Sequence, residues 1–261
     1  MTPLLHYLIA APVAELVVMI IAFGFFHKTK IIGVIDVFWT LSFLVQTLLA
    51  IFILKPTVDR GIVIGALIAI WSLRLSIHLA ARFIRSKKDD PRYDQLRKAW
   101  NNDFELKVFL MYLLQGISVL MLMGPVVCFL LDPKPISMIF TTASIVLFGI
   151  AIVGESTADA QLEQFKKKKT GCVCTSGLWK YSRHPNYFFE WLIWCALFVL
   201  CIPSELGYAM IYAPILMYIL LTKVTGVPQA EKLSLEHRGA AFARYQKTTS
   251  AFFPWFPKKQ A

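Results

Sequence analysis

Apolar residues gather into seven stretches, at about 7–26, 31–54, 61–80, 107–131, 136–154, 188–203 and 206–222. About 20 apolar residues in a helix cross a hydrocarbon core of about 30 Å. A helix also satisfies its own backbone where no water can reach it. The pattern therefore predicts an all-α integral membrane protein with about seven transmembrane helices, the sixth stretch being the shortest. The polar segments between them are too short for a separate domain of ordinary size, so residues 1–261 read as a single polytopic membrane domain. The first stretch has no basic leader and no small-residue cleavage site, and reads as a retained helix rather than a signal peptide.

The polar positions are as patterned as the apolar ones. Three long polar segments, at 82–107, 155–187 and 223–261, hold most of the basic residues. With the N-terminus outside and seven spans, 23 of the 27 Lys and Arg fall on the cytoplasmic side, and only Lys55, Arg60 and Lys134 lie outside. Lys and Arg collect on the cytoplasmic side of membrane proteins, so the partition predicts N-out and C-in. Composition agrees with this: 57% of residues are hydrophobic, 16% are charged and the mean hydropathy is +0.60. The net charge of +11 is then explained by topology, and no nucleic-acid partner is expected. Lys167–Lys169, Lys258 and Lys259 suit anionic lipid, at about 1 kcal/mol per cation near the surface. Asp89-Asp90 before Pro91 reads as a turn followed by a short helix start. The C-terminal SAFFPWFP reads as an interfacial anchor, because Trp and Phe favour the headgroup boundary. Cys172 and Cys174 lack nearby partners at finger-like spacing, so no metal site is expected, and a disulfide is not expected on the cytoplasmic side.

Polar side chains inside the spans are few. Trp71, Arg74, His78, Arg82 and Arg85 fall on one face of the third helix, in its inner half. Arg82 and Arg85 can snorkel to the headgroups. Arg74 lies more than two turns from the boundary, and with His78 it reads as facing a hydrated pocket. Asp36 begins the second helix, where it either solvates that end or pairs with Arg74. Glu15 lies mid-span, where a carboxyl must be protonated or paired. Gln46 and Gln115 read as interhelical hydrogen-bonding groups, and the Gly61-x-x-x-Gly65 spacing as a helix-packing element.

The densest chemistry is in GLWKYSRHPNYFFE, residues 177–190, directly before an apolar run. Pro185 excludes a helix interior there. Arg183 forks suit phosphate, Asn186 and Glu190 suit ribose and amide groups, and Tyr187 suits stacking, with His184 among them. This reads as the wall of a nucleotide-cofactor pocket at the membrane surface. The chain has no G-x-G-x-x-G, so the pocket is not a Rossmann site.

GLWKYSRHPNYFFEWLIW, GVPQAEKL and RYQKTTSAFFPWFP resemble the membrane family of steroid 5-alpha-reductase-like proteins, the DUF1295 group. DVFW at residues 36–39, WSLRLSIHL at 71–79 and DPRYDQLRKAW at 90–100 resemble the same group. The resemblance implies an integral-membrane enzyme that holds NADPH in a cytoplasm-facing cavity formed by about residues 136–257, with a lipid-like enone entering from the bilayer. It assigns cofactor contacts to Asp159, Asn186, Glu190 and Tyr245, with Arg183, His184 and Tyr187 lining the same pocket. Such reductases pair an acid with a Tyr on early helices. The second and third helices here carry no Tyr, and Asp36, Arg74 and His78 are the polar groups in its place. The Arg183-His184-Pro185-x-Tyr187 run is also similar to that of isoprenylcysteine and phospholipid methyltransferases, which use S-adenosylmethionine with a C-terminal acidic pair. This chain has Glu231 followed by Lys232 at that place.

Three functions are weighed. The leading one is NADPH-dependent reduction of a C=C bond conjugated to a carbonyl in a steroid- or isoprenoid-type lipid. Arg74 or His78 would stabilise the developing enolate, with Asp36 orienting one of them. The second is a membrane methyltransferase with Glu190 and Glu231 near the adenosyl group. The third is a non-enzymatic lipid-binding protein. A bacterial inner membrane and an endoplasmic reticulum fit the sequence equally.

Overall fold

The computed structural model describes residues 2–86, 93, 96, 97, 100, 103–168 and 171–258. The turn at Asp89-Asp90-Pro91, Lys169 and Lys259 lie outside the described residues. The described chain is all-α, and its only strand-like pairing is a single isolated bridge between Ser182 and Ser250.

In chain order the helices are α1 (Pro3–Thr29), α2 (Val34–Leu54), α3 (Val58–Ser86), α4 (Phe104–Leu122), α5 (Gly124–Leu131), α6 (Met138–Lys168), α7 (Pro185–Cys201), α8 (Tyr212–Ile219) and α9 (Val227–Thr248). Short 3-10 turns occupy Gly177–Lys180 and Gly207–Ile211, and a π turn occupies Leu220–Val224. Thr2 caps α1, its hydroxyl accepting from Leu5 N at 3.4 Å, and Pro3 occupies the position where a missing N–H costs nothing. Lys30 and Lys55 end α1 and α2 in the left-handed conformation.

Six stretches are long and apolar enough to cross a membrane: Pro3–Thr29, Val34–Leu54, Val58–Arg85, Phe104–Leu131, Met138–Lys168 and Gly207–Thr248. They fit a multi-pass integral membrane protein. The seventh expected span, 188–203, is the 17-residue α7, which at 1.5 Å per residue is about 25 Å long and falls short of a full core. The 107–131 stretch is two helices, because Pro125 removes an N–H and α4 stops at Met123. In the last stretch the apolar residues end before α9. That helix carries Glu231, Lys232, Glu236, Arg238, Arg244 and Lys247 and is far more polar than the residues before it.

The chain divides into two compact units. The first is Met1–Ser137 with Cys201–Met210. Its core is the buried i, i+4 stripe of α1 (Tyr7, Ala11, Glu15, Met19, Ala22, Phe26) against α2 and α4. Glu15 is paired: its Oε2 accepts from Gln46 Nε2 at 3.0 Å, and Gln46 also donates to the Ala11 carbonyl at 3.0 Å. Gly61 and Gly65 of α3 face the Ile51 side chain of α2, but a Cβ would meet it at 3.8 and 3.5 Å, ordinary contact distances that do not require glycine. A second buried knot closes the opposite end. Arg60 donates to the Phe129 carbonyl at 2.6 Å, to Asp132 at 2.9 Å and to the Lys134 carbonyl at 2.8 Å, and Ser204 donates to the same Asp132 oxygen.

The second unit is Met138–Leu200 with Ile211–Ala261. In it α7 packs on α6 where Gly154 lacks a side chain. A Cβ there would lie 2.4 Å from the Phe189 ring. The C-terminal tail folds back so that Phe252 is buried among Phe188, Trp191 and Tyr218, while Trp255 and Phe256 are 73% and 75% exposed. Of the segment expected to anchor, Phe252 is core, while Phe253, Trp255 and Phe256 are exposed.

Candidate functional site

Residues 177–187 are seated from below by α6 and from above by the tail. Gly177 has φ +62°, and a Cβ on it would strike Gln161 at 2.4 Å, so this turn requires glycine. Gln161 accepts from Leu178 N at 2.9 Å, and Trp179 donates its indole N–H to the Ala158 carbonyl at 2.9 Å. On the tail side Arg183 N donates to the Ser250 carbonyl at 2.8 Å, and Ser182 Oγ to the Phe252 carbonyl at 2.8 Å. Tyr245, buried on α9, donates its hydroxyl to the carbonyls of Trp179 and Ser182.

This framing delivers Arg183 and His184 to Glu231, 48 and 47 residues away on α9. Arg183 Nε donates to Glu231 Oε1 at 2.6 Å, and its Nη1 donates to the carbonyls of Gln246 and Thr249. His184 Nε2 lies 3.3 Å from the same carboxylate oxygen, which can only accept, so that ring nitrogen bears the hydrogen. Gln246 donates to Glu231 Oε2 at 2.8 Å. Burial raises the Glu231 carboxyl, but the hydrogen bonds from His184, Arg183 and Gln246 outweigh it and hold the pKa at about 2. Burial pushes the His184 imidazole below its ordinary value against the pull of Glu231, and Arg183 adds to the lowering. At neutral pH the cluster is an ionised carboxylate, a guanidinium and a neutral imidazole.

Tyr187 stacks on His184 with ring centroids 5.5 Å apart and planes 7° from parallel. The stack depends on Gly226, where a Cβ would lie 2.5 Å from the Leu221 carbonyl and 3.1 Å from the Tyr187 ring. The π turn that precedes Gly226 brings the backbone this close. Asn186 is half-buried in the first turn of α7. Neither its amide nor the Tyr187 hydroxyl has a hydrogen bond among the described residues, whereas Ser182, Arg183 and His184 are engaged with the loop, the tail and α9. Glu190 is buried and accepts from Trp194 Nε1 at 3.2 Å. Asp159 is half-buried on α6, beside the Ala158 and Gln161 that seat the loop. Of the expected cofactor residues, Arg183, His184 and Tyr187 form one contiguous cluster, Asn186 follows it, and Tyr245 braces its backbone.

In the first unit, the residues read as the catalytic end lie on adjoining helices. Trp39 and Trp71 meet edge to face at 6.4 Å. Asp36 is one turn before Trp39 on α2, and Arg74 is one turn after Trp71 on α3. The two helices run antiparallel, so both residues sit at the same end, with half-buried His78 a further turn along. Asp36 has a partner the sequence did not offer: Tyr93, 7% exposed, donates to it at 2.7 Å. Tyr93 comes from the polar segment between α3 and α4 and packs against Phe26, Ile35 and Tyr112. Tyr93 is itself helical, and it places beside Asp36 a tyrosine that α2 and α3 do not carry.

Residues 22–249 match the family described as "Protein of unknown function (DUF1295)". The chain belongs to that family. No curated protein and no solved structure matches it. Three participants escaped the sequence reading: Gln246, Gly226 and Tyr93. Tyr93 meets Asp36 57 residues away and Gly226 meets the Tyr187 ring 39 residues away, while Gln246 reaches Glu231 across 15 residues of α9, and none of these separations leaves a local periodicity to read. Gly226, in GVPQAEKL directly before α9, was the one locally visible signal.

Proposed function

We propose that this DUF1295 protein is an NADPH-dependent reductase of a C=C bond conjugated to a carbonyl in a steroid- or isoprenoid-type lipid. In this reading the chain is oriented N-out and C-in, with the signature facing the cytoplasm. The reading is supported by one observation above all. The signature spends its charged groups on a rigid cluster and leaves the Asn186 amide and the Tyr187 hydroxyl uncommitted beside it. Uncommitted polar groups on a buried, preorganised frame suit the amide, hydroxyl and ring edges of a dinucleotide.

The residues present fit such a cofactor. Asn186 would bond it, the Tyr187 ring and hydroxyl would face it, and Asp159 and Glu190 would border it. Arg183, His184 and Tyr245 would hold the loop, because their donors already serve Glu231 and backbone carbonyls. When bound, NADPH supplies the hydride. On α2 and α3, Asp36 fixes the Tyr93 hydroxyl, and Arg74 and His78 would supply a cation or proton for the oxygen on which enolate charge develops. Glu231 is already held by three side-chain donors of this chain, which leaves it less open to an adenosyl ribose and favours the reductase reading over a methyltransferase.

Thermal stabilisation of the detergent-purified protein by NADPH, NADH and S-adenosylmethionine tests this, since a ligand of the folded state must raise apparent stability. NADPH is expected to stabilise most. Stabilisation by S-adenosylmethionine alone would reverse the assignment.

A further inference from the structure

Two thiols that take no part in either site face each other in the first unit. Cys128 lies in the last turn of α5 and is half-buried. Cys201 is the last residue of α7 and is 1% exposed. The two thiols are neighbours. Cys201 Sγ also lies 3.1 Å from the carbonyl of Pro125, the residue one helical turn before Cys128. The backbone on each side of the pair is fixed by the same buried knot. Phe129, next to Cys128, gives its carbonyl to Arg60. Ser204 donates its N–H to the Cys201 carbonyl at 2.9 Å and its hydroxyl to Asp132 at 2.9 Å, and Arg60 holds that same Asp132 oxygen. A common Arg60–Asp132 anchor therefore holds the backbone beside both cysteines.

We propose that Cys128 and Cys201 are a modification site, a thiol pair that oxidises to an intramolecular disulfide joining α5 to the end of α7. The inference rests on the orientation proposed above and not on the reductase reading. The pair adjoins Arg60 and Lys134, the sparse cations assigned to the outer face. That is the face on which disulfides form and persist.

The co-reactant is a small-molecule or protein disulfide. The half-buried Cys128 loses its proton and attacks one sulfur of that disulfide, forming a mixed disulfide and releasing one thiol. Cys201 loses its proton and attacks the Cys128 sulfur, releasing the second thiol. Two protein S–H bonds are replaced by one S–S bond, and the co-reactant takes up the two electrons and two protons. The product closes a loop from 128 to 201, which limits the unfolded chain more than a short loop would. Cys195 is on α7 in the second unit, and Cys172 and Cys174 lie on the face assigned to the cytoplasm, so none of them competes.

The test treats the full-length protein in detergent with oxidised glutathione and then blocks remaining thiols with a maleimide. The expected product has lost the mass of two hydrogen atoms, has two fewer maleimide adducts and yields one cross-linked peptide containing Cys128 and Cys201. Its unfolding midpoint lies above that of the reduced protein and returns on reduction. Cys128→Ser, a change at a half-exposed position that leaves the buried Cys201 in place, is expected to abolish the cross-link and the rise in midpoint. Maleimide adducts on both Cys128 and Cys201 after oxidation, or a disulfide that includes Cys195, would overturn the proposal. In cells quenched with acid and maleimide the pair is expected to be oxidised. Finding it reduced there would overturn its placement on the oxidising face and with it the modification in cells.

Discussion

The first unit buries Arg60 and the second buries Arg183, and the two guanidiniums end in different surroundings. Arg60 meets Asp132 with both side chains about 3% exposed. The remaining capacity is filled by the Phe129 and Lys134 carbonyls, the Ser204 hydroxyl and the Lys134 N–H. Arg60 also lies over the Phe129 ring at 4.7 Å. Among the described residues both the guanidinium and the carboxylate of that knot are held by partners within it. Arg183 has an equally full set of partners, but its carboxylate is shared with an imidazole. The imidazole is stacked on a tyrosine, and an asparagine with no internal partner follows. A polar cluster that closes on itself holds helices together. One that leaves hydrogen-bonding groups uncommitted beside it is the arrangement proposed above to receive a cofactor.

The comparison is broken most violently at Arg60. Arg60→Ala leaves Asp132 buried and unpaired, and removing one partner of a buried pair costs about 3–5 kcal/mol. We expect loss of the folded protein, or a large drop in its unfolding midpoint in detergent. Replacing both partners, Arg60→Met with Asp132→Leu, should recover most of that loss, because no charge is then stranded. A double variant as unstable as the single one would show that the Phe129 and Lys134 carbonyl contacts matter more than the charge pair.

Much of this contrast lies beyond a linear reading. Hydropathy located the spans because burial in lipid imposes length and apolarity on every crossing helix. It misjudged 188–203 by including Ile202 and Pro203, which lie beyond the end of α7 at Cys201. It also missed the break at Met123, because Gly124 and Pro125 leave an apolar run apolar. Arg183 and His184 were legible because Pro185 and the tyrosines gather polar groups where a span begins. Arg60 read only as one of three outer cations, since Asp132 is 72 residues away and a pair at that distance has no periodic signature. Asp36 was placed at the correct helix end, but Tyr93 was invisible as its partner for the same reason, at a separation of 57 residues.

Acid sharpens the comparison at intermediate strength. Glu231 has its folded pKa depressed to about 2, against about 4.3 in an unfolded chain. Its contribution is therefore complete above about pH 4.3 and is lost as pH falls through the folded value. His184 is shifted the same way, below its ordinary value. The unfolded chain then takes up a proton first, so stability also begins to fall below about pH 6.5. Both shifts make acid destabilising, over a window from about pH 6.5 down to about 2. An acid titration of stability in detergent, followed by Trp fluorescence, should show this slope. Glu231→Gln should start less stable at neutral pH and show a flatter decline below about pH 4.3. Equal slopes in the two proteins would mean that Glu231 is not ionised and paired in the folded state.

The smallest expected change in stability belongs to Asn186. Its amide is half-buried in the first turn of α7 and has no hydrogen bond among the described residues, so Asn186→Ala strands no partner. Stability should shift by no more than about 0.5 kcal/mol, as for a substitution away from any internal contact. Affinity for NADPH should nevertheless fall roughly tenfold, equivalent to about 1.4 kcal/mol and the scale of one hydrogen bond. Tyr187→Phe keeps the ring on His184 and removes only the hydroxyl, so it should resemble Asn186→Ala if that hydroxyl meets the cofactor. The two readouts must be taken on the same samples, because a drop in affinity accompanied by unfolding would say nothing about contact. If both variants keep wild-type NADPH affinity and wild-type stability, the uncommitted face is not where the cofactor sits. The Arg183 cluster would then belong with the Arg60 knot, as architecture.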